Sequence, residues 1–349
     1  MDQFFVMKII IHAGLYKTAT TSLQTFLFQN RDTFIRSGIY IPLEFSRRNC
    51  LARDFNNRAH HLLYHQLRKN DEKFNASLKL KIADVLSSAK ELGCHTVLFS
   101  TELFSEALSS DFDRIEDEFF GAKIHLVYTV RNVHEIAESY SNQRKKTRIL
   151  GLEDSSLSRK DFECGYILRA LADVAESRGA DRVSIFEFVP SQMNRMLEEF
   201  CIYLGVRFSE FGSPLIGKSN SSFSWEDYWL MQRYLAENKK LKNAEGRDRR
   251  RMPLNLTEKV VNETSRKKRT MLVTLNLADQ EKVSEVNRKE LRRIAAVFPS
   301  MNCRLVLAGA ELSRFYKKKY YSQNIQRKPS LMSDIRNSFD EGRRRASRK

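Results

Sequence analysis

Over its first 225 residues the chain alternates short unbroken apolar runs with segments whose apolar positions recur at helical intervals. Ile9-Ile10-Ile11, Thr96 to Ser100, Ile124 to Val130 and Val183 to Val189 are runs of the first kind. They read as strands buried on both faces, as a parallel sheet requires. Ile39-Tyr40-Ile41 is a shorter strand stopped by Pro42. Helical spacing appears in Leu23, Phe26 and Leu27, in Leu80 to Ala89, and from Met193 to Leu204, with Gly93 and Gly205 closing the last two. Arg31 to Gly38 reads as the charged end of the first helix, and a further helix begins near Arg58. The spacing also predicts helices over 111–120, 131–149 and 163–178. Strand and helix in strict alternation predict an α/β fold: a doubly wound central parallel sheet with flanking helices and ligands at the strand C-terminal ends. Past residue 225 only helical patterns remain, Trp225 to Leu241 and Gln280 to Phe298 among them. The expected organisation is a core over 1–225, a basic helical C-terminal extension over 226–326 packing on it, and a poorly ordered basic tail over 327–349.

Charge sharpens this picture. The 349 residues carry a net charge of +17, so partners are expected to be anionic: nucleic acid, anionic lipid, an acidic glycan or a phosphorylated nucleotide. Lys239 to Arg269 holds 12 basic and 4 acidic residues, and Arg327 to Lys349 holds 8 and 3. The tail reads either as a solubilising end or as a contact with an anionic membrane surface or glycan. Five scattered cysteines, with no C-x-x-C pair, argue against a zinc ribbon or redox dithiol and for a reducing compartment. No secretory leader and no apolar run of membrane-spanning length is visible, so the expected location is cytoplasmic, with peripheral contact at the inner face of a membrane through the tail. His61 and His65 lie one helical turn apart but have no acidic or cysteine partner nearby, and no metal site is expected.

The candidate chemistry follows the first strand, in His12-Ala13-Gly14-Leu15-Tyr16-Lys17-Thr18-Ala19-Thr20-Thr21-Ser22. A glycine frees the backbone, and hydroxyl residues fall at the expected N-cap and first-turn positions of a helix. A strand, a glycine loop and a helix N-terminus aim several N–H groups at one point, where the helix dipole adds positive potential and Lys17 a full cation. That arrangement grips an anionic ester group such as a phosphate. A Walker A loop is excluded by spacing, because it needs glycine directly before the lysine and Tyr16 stands there. Alone, the stretch also reads as an ordinary Ser/Thr-capped helix after a strand.

The short form G-x-x-K-T-x-T-T resembles the 5′-phosphosulfate loop of sulfotransferases that use 3′-phosphoadenosine 5′-phosphosulfate (PAPS), many of which read close to G-x-P-K-T-G-T-T. Two positions depart. Tyr16 in place of proline loses a fixed φ, and Ala19 in place of glycine is harmless unless that residue needs a positive φ. A second stretch, Tyr128 to Tyr140, resembles the 3′-phosphate motif of the same family, with Arg131 at a strand end and Ser139 about two helical turns further on. Arginine suits a terminal phosphate because its fork donates bidentately. Val183 to Phe188, the segment Phe200 to Val206 and Lys218-Ser219-Asn220-Ser221-Ser222 resemble later parts of the family, so the likeness covers residues 5–225 in patches. The family's Arg-Lys-Gly loop is not evident, which leaves Lys218 as the candidate third contact to the 3′-phosphate.

The resemblance implies a P-loop NTPase-like sulfotransferase fold and PAPS as donor, with adenosine 3′,5′-bisphosphate as product. Gly14, Leu15, Tyr16, Lys17, Thr18, Ala19, Thr20, Thr21 and Ser22 would hold its 5′ side, and Arg131, Ser139 and Lys218 its 3′-phosphate. Lys17 would neutralise charge on the leaving phosphate. Glu102, just past a strand, is the candidate general base; it also reads as a helix-start acid favoured by the dipole. His60 or His61 is the runner-up. The expected acceptor is a hydroxyl of a glycan or lipid-linked sugar. Two rival readings are a P-loop-type nucleotide kinase and a nucleic-acid-binding protein using the basic stretches, although those are poor in interleaved aromatics and no nucleic-acid motif is recognised.

Overall fold

Ile9, Ile10 and Ile11 are all buried, which puts their strand inside a sheet rather than at its edge. In a computed structural model of the chain, the described residues are 7–15, 17–45, 59–68, 72–119, 122–139, 165–189, 192–211 and 277–299. Five strands, β1 (Lys8–His12), β2 (Ile39–Tyr40), β3 (Thr96–Ser100), β4 (Ile124–Val130) and β5 (Val183–Glu187), form one sheet in the order β2-β3-β1-β4-β5. Every pairing is parallel, with Ile11 opposite Phe99 on one side and Leu126 on the other. The α/β parallel architecture read from the apolar runs is therefore present.

The helices are α1 (Thr20–Gln29), α2 (Arg31–Arg36), α3 (His61–Leu67), α4 (Glu72–Glu91), α5 (Ser109–Glu118), α6 (Gly165–Arg178), α7 (Met193–Tyr203) and α8 (Leu277–Val297), with short 3₁₀ turns at Glu102–Glu106 and Phe208–Phe211. Residues 133–139 are helical as well. Arg31 to Gly38 is not the end of the first helix, as its sequence suggested. It forms the separate helix α2, and the chain breaks at Asn30, whose side-chain amide donates to the Phe26 carbonyl at 2.8 Å. Helix α4 starts at Glu72, ahead of the periodic stretch, because helical backbone continues where the apolar pattern does not.

The two faces of the sheet follow from the period-2 alternation along the strands. Ile10, Leu98 and Val127 point to a core shared with Leu23, Phe26 and Leu27 of α1, Phe34 of α2, and Met196, Leu197 and Phe200 of α7. The opposite face carries Phe99, which meets the Phe119 ring just past α5 edge-on at 5.6 Å. Helices thus cover both faces, the doubly wound arrangement.

Where β4 and β5 enter the sheet, a cluster of ions ties them to α5. Glu116 accepts the Ile124 N–H at 3.0 Å and pairs with Arg178 at 3.1 Å and with Arg182. Arg178 also pairs with Asp113, and its side chain is only 3% exposed. Burial lowers its pKa from the ordinary arginine value.

The chain divides into two compact units, 1–132 with 164–219 and 287–305, and 133–163 with 220–286 and 306–349. All five strands belong to the first. Among the described residues no helix is long and apolar enough to cross a membrane. The basic stretches 239–269 and 327–349, the helix expected at Trp225 to Leu241, and Cys50, Cys164 and Cys303 lie outside the described residues; Cys94 and Cys201 are buried free thiols.

Candidate functional site

Strand β1 is flanked by β3 and β4, but the chain leaving β1 crosses to β2 on one side, while the strand after β4 is β5 on the other. The two exits diverge, which opens a crevice outside the C-terminal ends of β1 and β4. The loop after β1 begins in that crevice. It keeps pairing beside β4, with the Ala13 N–H donating to the Val127 carbonyl at 2.8 Å and the Leu15 N–H to Thr129 at 2.9 Å. Gly14 is required by space: a Cβ there would lie 2.7 Å from the Thr129 hydroxyl and 3.1 Å from the His12 ring, and would run into the Thr20 hydroxyl.

The chain then turns. Thr18 returns to the Leu15 carbonyl twice, through its N–H at 3.3 Å and its hydroxyl at 2.5 Å. Within that turn Lys17 has φ 67°, and Ala19, the N-cap of α1, has φ 59° and ψ 26°. Both are left-handed without being glycine, a conformation that costs roughly 1–2 kcal/mol per residue. Ala19 therefore does need a positive φ, so its replacement of glycine is not neutral. Nor is the N-cap a hydroxyl residue, as expected: Ala19 offers no side-chain cap. The Ser22 and Leu23 amides turn back to the Ala19 carbonyl, which leaves the Thr20 and Thr21 amides as the open first-turn donors. The Thr20 hydroxyl is buried and has no hydrogen-bond partner among the described residues. Open amides, an orphaned hydroxyl and the positive end of α1 make a cradle whose chemistry fits a phosphate-type anion.

Under the loop lies a polar file inside the sheet. His12 is fully buried, with Nδ1 2.8 Å from the Ser100 hydroxyl and Nε2 3.2 Å from that of Thr129. Thr129 Oγ1 is in turn 2.9 Å from Thr18 Oγ1. Burial holds the His12 pKa down to about 3, so the ring is neutral.

Arg131 leaves the end of β4 and donates to the Lys17 carbonyl at 3.2 Å, with its guanidinium over the Phe188 ring at 5.6 Å. Phe188 is fixed by its own N–H on the Val130 carbonyl at 2.7 Å. Lys17 and Arg131, 114 positions apart, thus meet on one edge of the sheet. Ser139 is the last described residue of the helical segment 133–139 and belongs to the second unit. Tyr16 and Lys218 lie outside the described residues.

A second group gathers at the end of β3. Glu102 opens the 3₁₀ turn after Thr101, whose hydroxyl accepts the Leu103 N–H at 3.3 Å. His61 places Nδ1 2.6 Å from the Thr101 hydroxyl and Nε2 3.6 Å from Glu102 Oε1. The two side chains are 27% and 29% exposed, open enough to meet a substrate. Gln24 of α1 donates to Glu102 Oε2 at 3.4 Å and to the Ser100 carbonyl at 3.5 Å. His60 is a different case. It is fully buried, accepts the Ser100 N–H on Nδ1 at 2.8 Å and lies 2.8 Å from the Pro42 carbonyl through Nε2. Burial holds its pKa down to about 4. With both nitrogens committed and no access to solvent, His60 is a support for β3 rather than a base. Among the described residues, no cluster of three or more His, Cys, Asp or Glu is arranged to hold a metal ion.

The sequence reading missed Gln24, Thr129 and Ser100 and gave His12 no role. For His12 one signal existed: a polar residue ending an apolar run in a strand buried on both faces has to find partners on neighbouring strands.

No protein-family profile and no curated protein sequence matches the chain. Solved structures that resemble it include two sulfotransferases. One is a sulfotransferase domain from the curacin biosynthetic pathway, at 15% identity, covering 74% of this chain and 96% of its own, with a TM-score of 0.37. The other is a sulfotransferase from Alicyclobacillus acidocaldarius, at 17% identity, covering 69% of this chain and 98% of its own, with a TM-score of 0.34.

Proposed function

We propose that this chain is a PAPS-dependent sulfotransferase acting on a hydroxyl acceptor, with a glycan or lipid-linked sugar as the substrate class. The observation that carries the reading is the meeting of Lys17 and Arg131 at the exits of adjacent strands, where the Arg131 fork donates to the Lys17 backbone 3.2 Å away. A nucleotide charged at both its 5′ and 3′ positions needs cations from two places at one crevice, and the order of motifs along the chain supplies them.

PAPS, when bound, supplies the sulfuryl group, and its transfer leaves adenosine 3′,5′-bisphosphate. The chain's residues then have separable tasks. The Thr20 and Thr21 amides, the Thr20 hydroxyl and the Lys17 ammonium stabilise negative charge on the departing phosphate, which matters most as that charge develops. Arg131 holds the 3′-phosphate. Glu102 takes the proton of the acceptor hydroxyl, oriented by Gln24, and His61 beside it is the alternative acceptor of that proton. In this reading donor and acceptor meet at one sheet edge, and much of the acceleration comes from their orientation.

The test is equilibrium binding of adenosine 3′,5′-bisphosphate with a chelator present, followed by transfer of label from PAPS to a panel of glycans, glycolipids and phenols. Binding without magnesium and labelled product are expected. A chain that binds only magnesium-nucleoside triphosphate is instead a kinase, and one that binds duplex DNA with steep salt dependence but not the bisphosphate is a nucleic-acid protein.

A further inference from the structure

The file beneath the anion loop has only one consistent direction. Thr18 Oγ1 lies 2.5 Å from the Leu15 carbonyl, a separation that requires the hydroxyl to donate there. Its oxygen must then accept from Thr129 across 2.9 Å, and Thr129, its proton spent, must accept from His12 Nε2 at 3.2 Å. Nδ1 is left as an acceptor, filled by the Ser100 hydroxyl at 2.8 Å. The opposite direction fails at both ends. It leaves the proton of a fully buried Ser100 hydroxyl without an acceptor among the described residues, and it sets two lone pairs against each other between Thr18 and Leu15. All four side chains are buried, so water does not restore the balance.

The last link is the turn containing Lys17. Lys17 stands third in the turn from Leu15 to Thr18, a position where a positive φ is normally left to glycine. A strained residue persists only where its surroundings over-determine it. Here the determinant is the second bond from Thr18 to Leu15, and the file fixes the rotamer that makes this bond.

We propose that His12 is a positioning residue for the anion loop: as the Nε2–H tautomer between Ser100 and Thr129, it aligns the Thr129 and Thr18 hydroxyls and so holds the turn that presents Lys17. It acts through other residues and touches no substrate. The inference rests on the reading of this loop as the site for the 5′ side of the nucleotide, but two of its three tests do not.

The first test is NMR of wild-type protein labelled with heavy nitrogen at histidine, with His12 assigned by the signals lost in His12→Gln. A protonated Nε2 and a bare Nδ1 at neutral pH are expected. A protonated Nδ1, or an imidazolium, overturns the proposal without any functional variant. The second compares Thr129→Val, which keeps the β-branched shape and deletes the hydroxyl, with Thr129→Ser, which keeps the hydroxyl. Amide exchange at Thr18, whose N–H bonds the Leu15 carbonyl, should quicken about tenfold in the valine variant and stay near wild type in the serine variant, with β3 and β5 unchanged in both. The third measures adenosine 3′,5′-bisphosphate, whose affinity should fall about tenfold with valine and recover with serine. Equal exchange and equal affinity in the two variants overturn the positioning role. A wild-type chain that ignores the nucleotide sinks the sulfotransferase reading instead, and the tautomer and exchange results then decide the role of His12 alone.

Discussion

The two edges of the sheet solve the same problem by different means. On entering β3 and β5 the chain must reverse direction after a helix, and the left-handed residues there are Gly93 (φ 69°) and Gly179 (φ 73°), which adopt that conformation at no steric cost. At the same end, ion pairs between Glu116, Arg178 and Arg182 fasten β4 and β5. On leaving β1, by contrast, the left-handed positions are Lys17 and Ala19, and the fastening is a file of neutral hydroxyls and imidazole. The entry edge is built for stability. The exit edge instead accepts strain at Lys17 and Ala19 and leaves the Thr20 and Thr21 amides of α1 open. Strain that a glycine would remove is a reason to look for function.

The contrast is sharpest in a pair of substitutions. Lys17→Ala should lower turnover about a thousandfold, on the scale of losing a charge-stabilising donor, with the melting curve unchanged. Glu116→Ala should do the reverse, destabilising the fold by about 3 kcal/mol by leaving two arginines poorly paired, while affinity for adenosine 3′,5′-bisphosphate is kept. If both changes reduce stability alike, the division of labour between edges is wrong.

Acid gives a second probe. His12 and His60 support the exit edge as neutral rings, with pKa values of about 3 and about 4 against an ordinary 6.5. Below pH 6.5 the unfolded chain takes up protons that these rings refuse, so the contribution is intact above that value and is lost as pH falls toward their folded values. Denaturant titrations should show stability falling from pH 6.5 to pH 5 by on the order of 3 kcal/mol. Hydrogen exchange should show the exit edge opening first.

Arg131→Ala should weaken adenosine 3′,5′-bisphosphate by roughly 1.5–3 kcal/mol, the worth of a bond between charged groups, measurable by calorimetry. The smallest effects test the strain itself. Gly93 has no atom near a prospective Cβ, so Gly93→Ala should cost about 1 kcal/mol through its backbone alone. Ala19→Gly should stabilise by about 0.5–1 kcal/mol, since glycine is preferred both in the left-handed region and at an N-cap. Paired thermal melts read both signs, and a destabilised Ala19→Gly protein would mean that the loop is not strained there.

Much of this architecture was legible in the chain. Strands β3 and β4 match their apolar runs to the residue, because a strand buried on both faces can carry no polar alternation. The loop after β1 and Arg131 were legible too, since each announces itself by type and by its place at a strand end. Helix α2 was not, because its boundary is a single asparagine side chain capping the preceding turn. Nor was the support of the site. Ser100, Thr129 and Gln24 reach their partners across 76 to 117 positions of sequence, and nothing local distinguishes them from any hydroxyl or amide in a sheet protein.

The register of β1 has a consequence for how this chain can change over time. Ile9 to His12 are paired with a strand on each side, and alternate positions face opposite layers of helices. Adding or deleting one residue between Lys8 and Gly14 would turn His12 toward the wrong layer and carry the loop off its footing on β4. Length variation among descendants should therefore collect elsewhere, and the count from Lys8 to Gly14 should stay frozen even where the side chains drift.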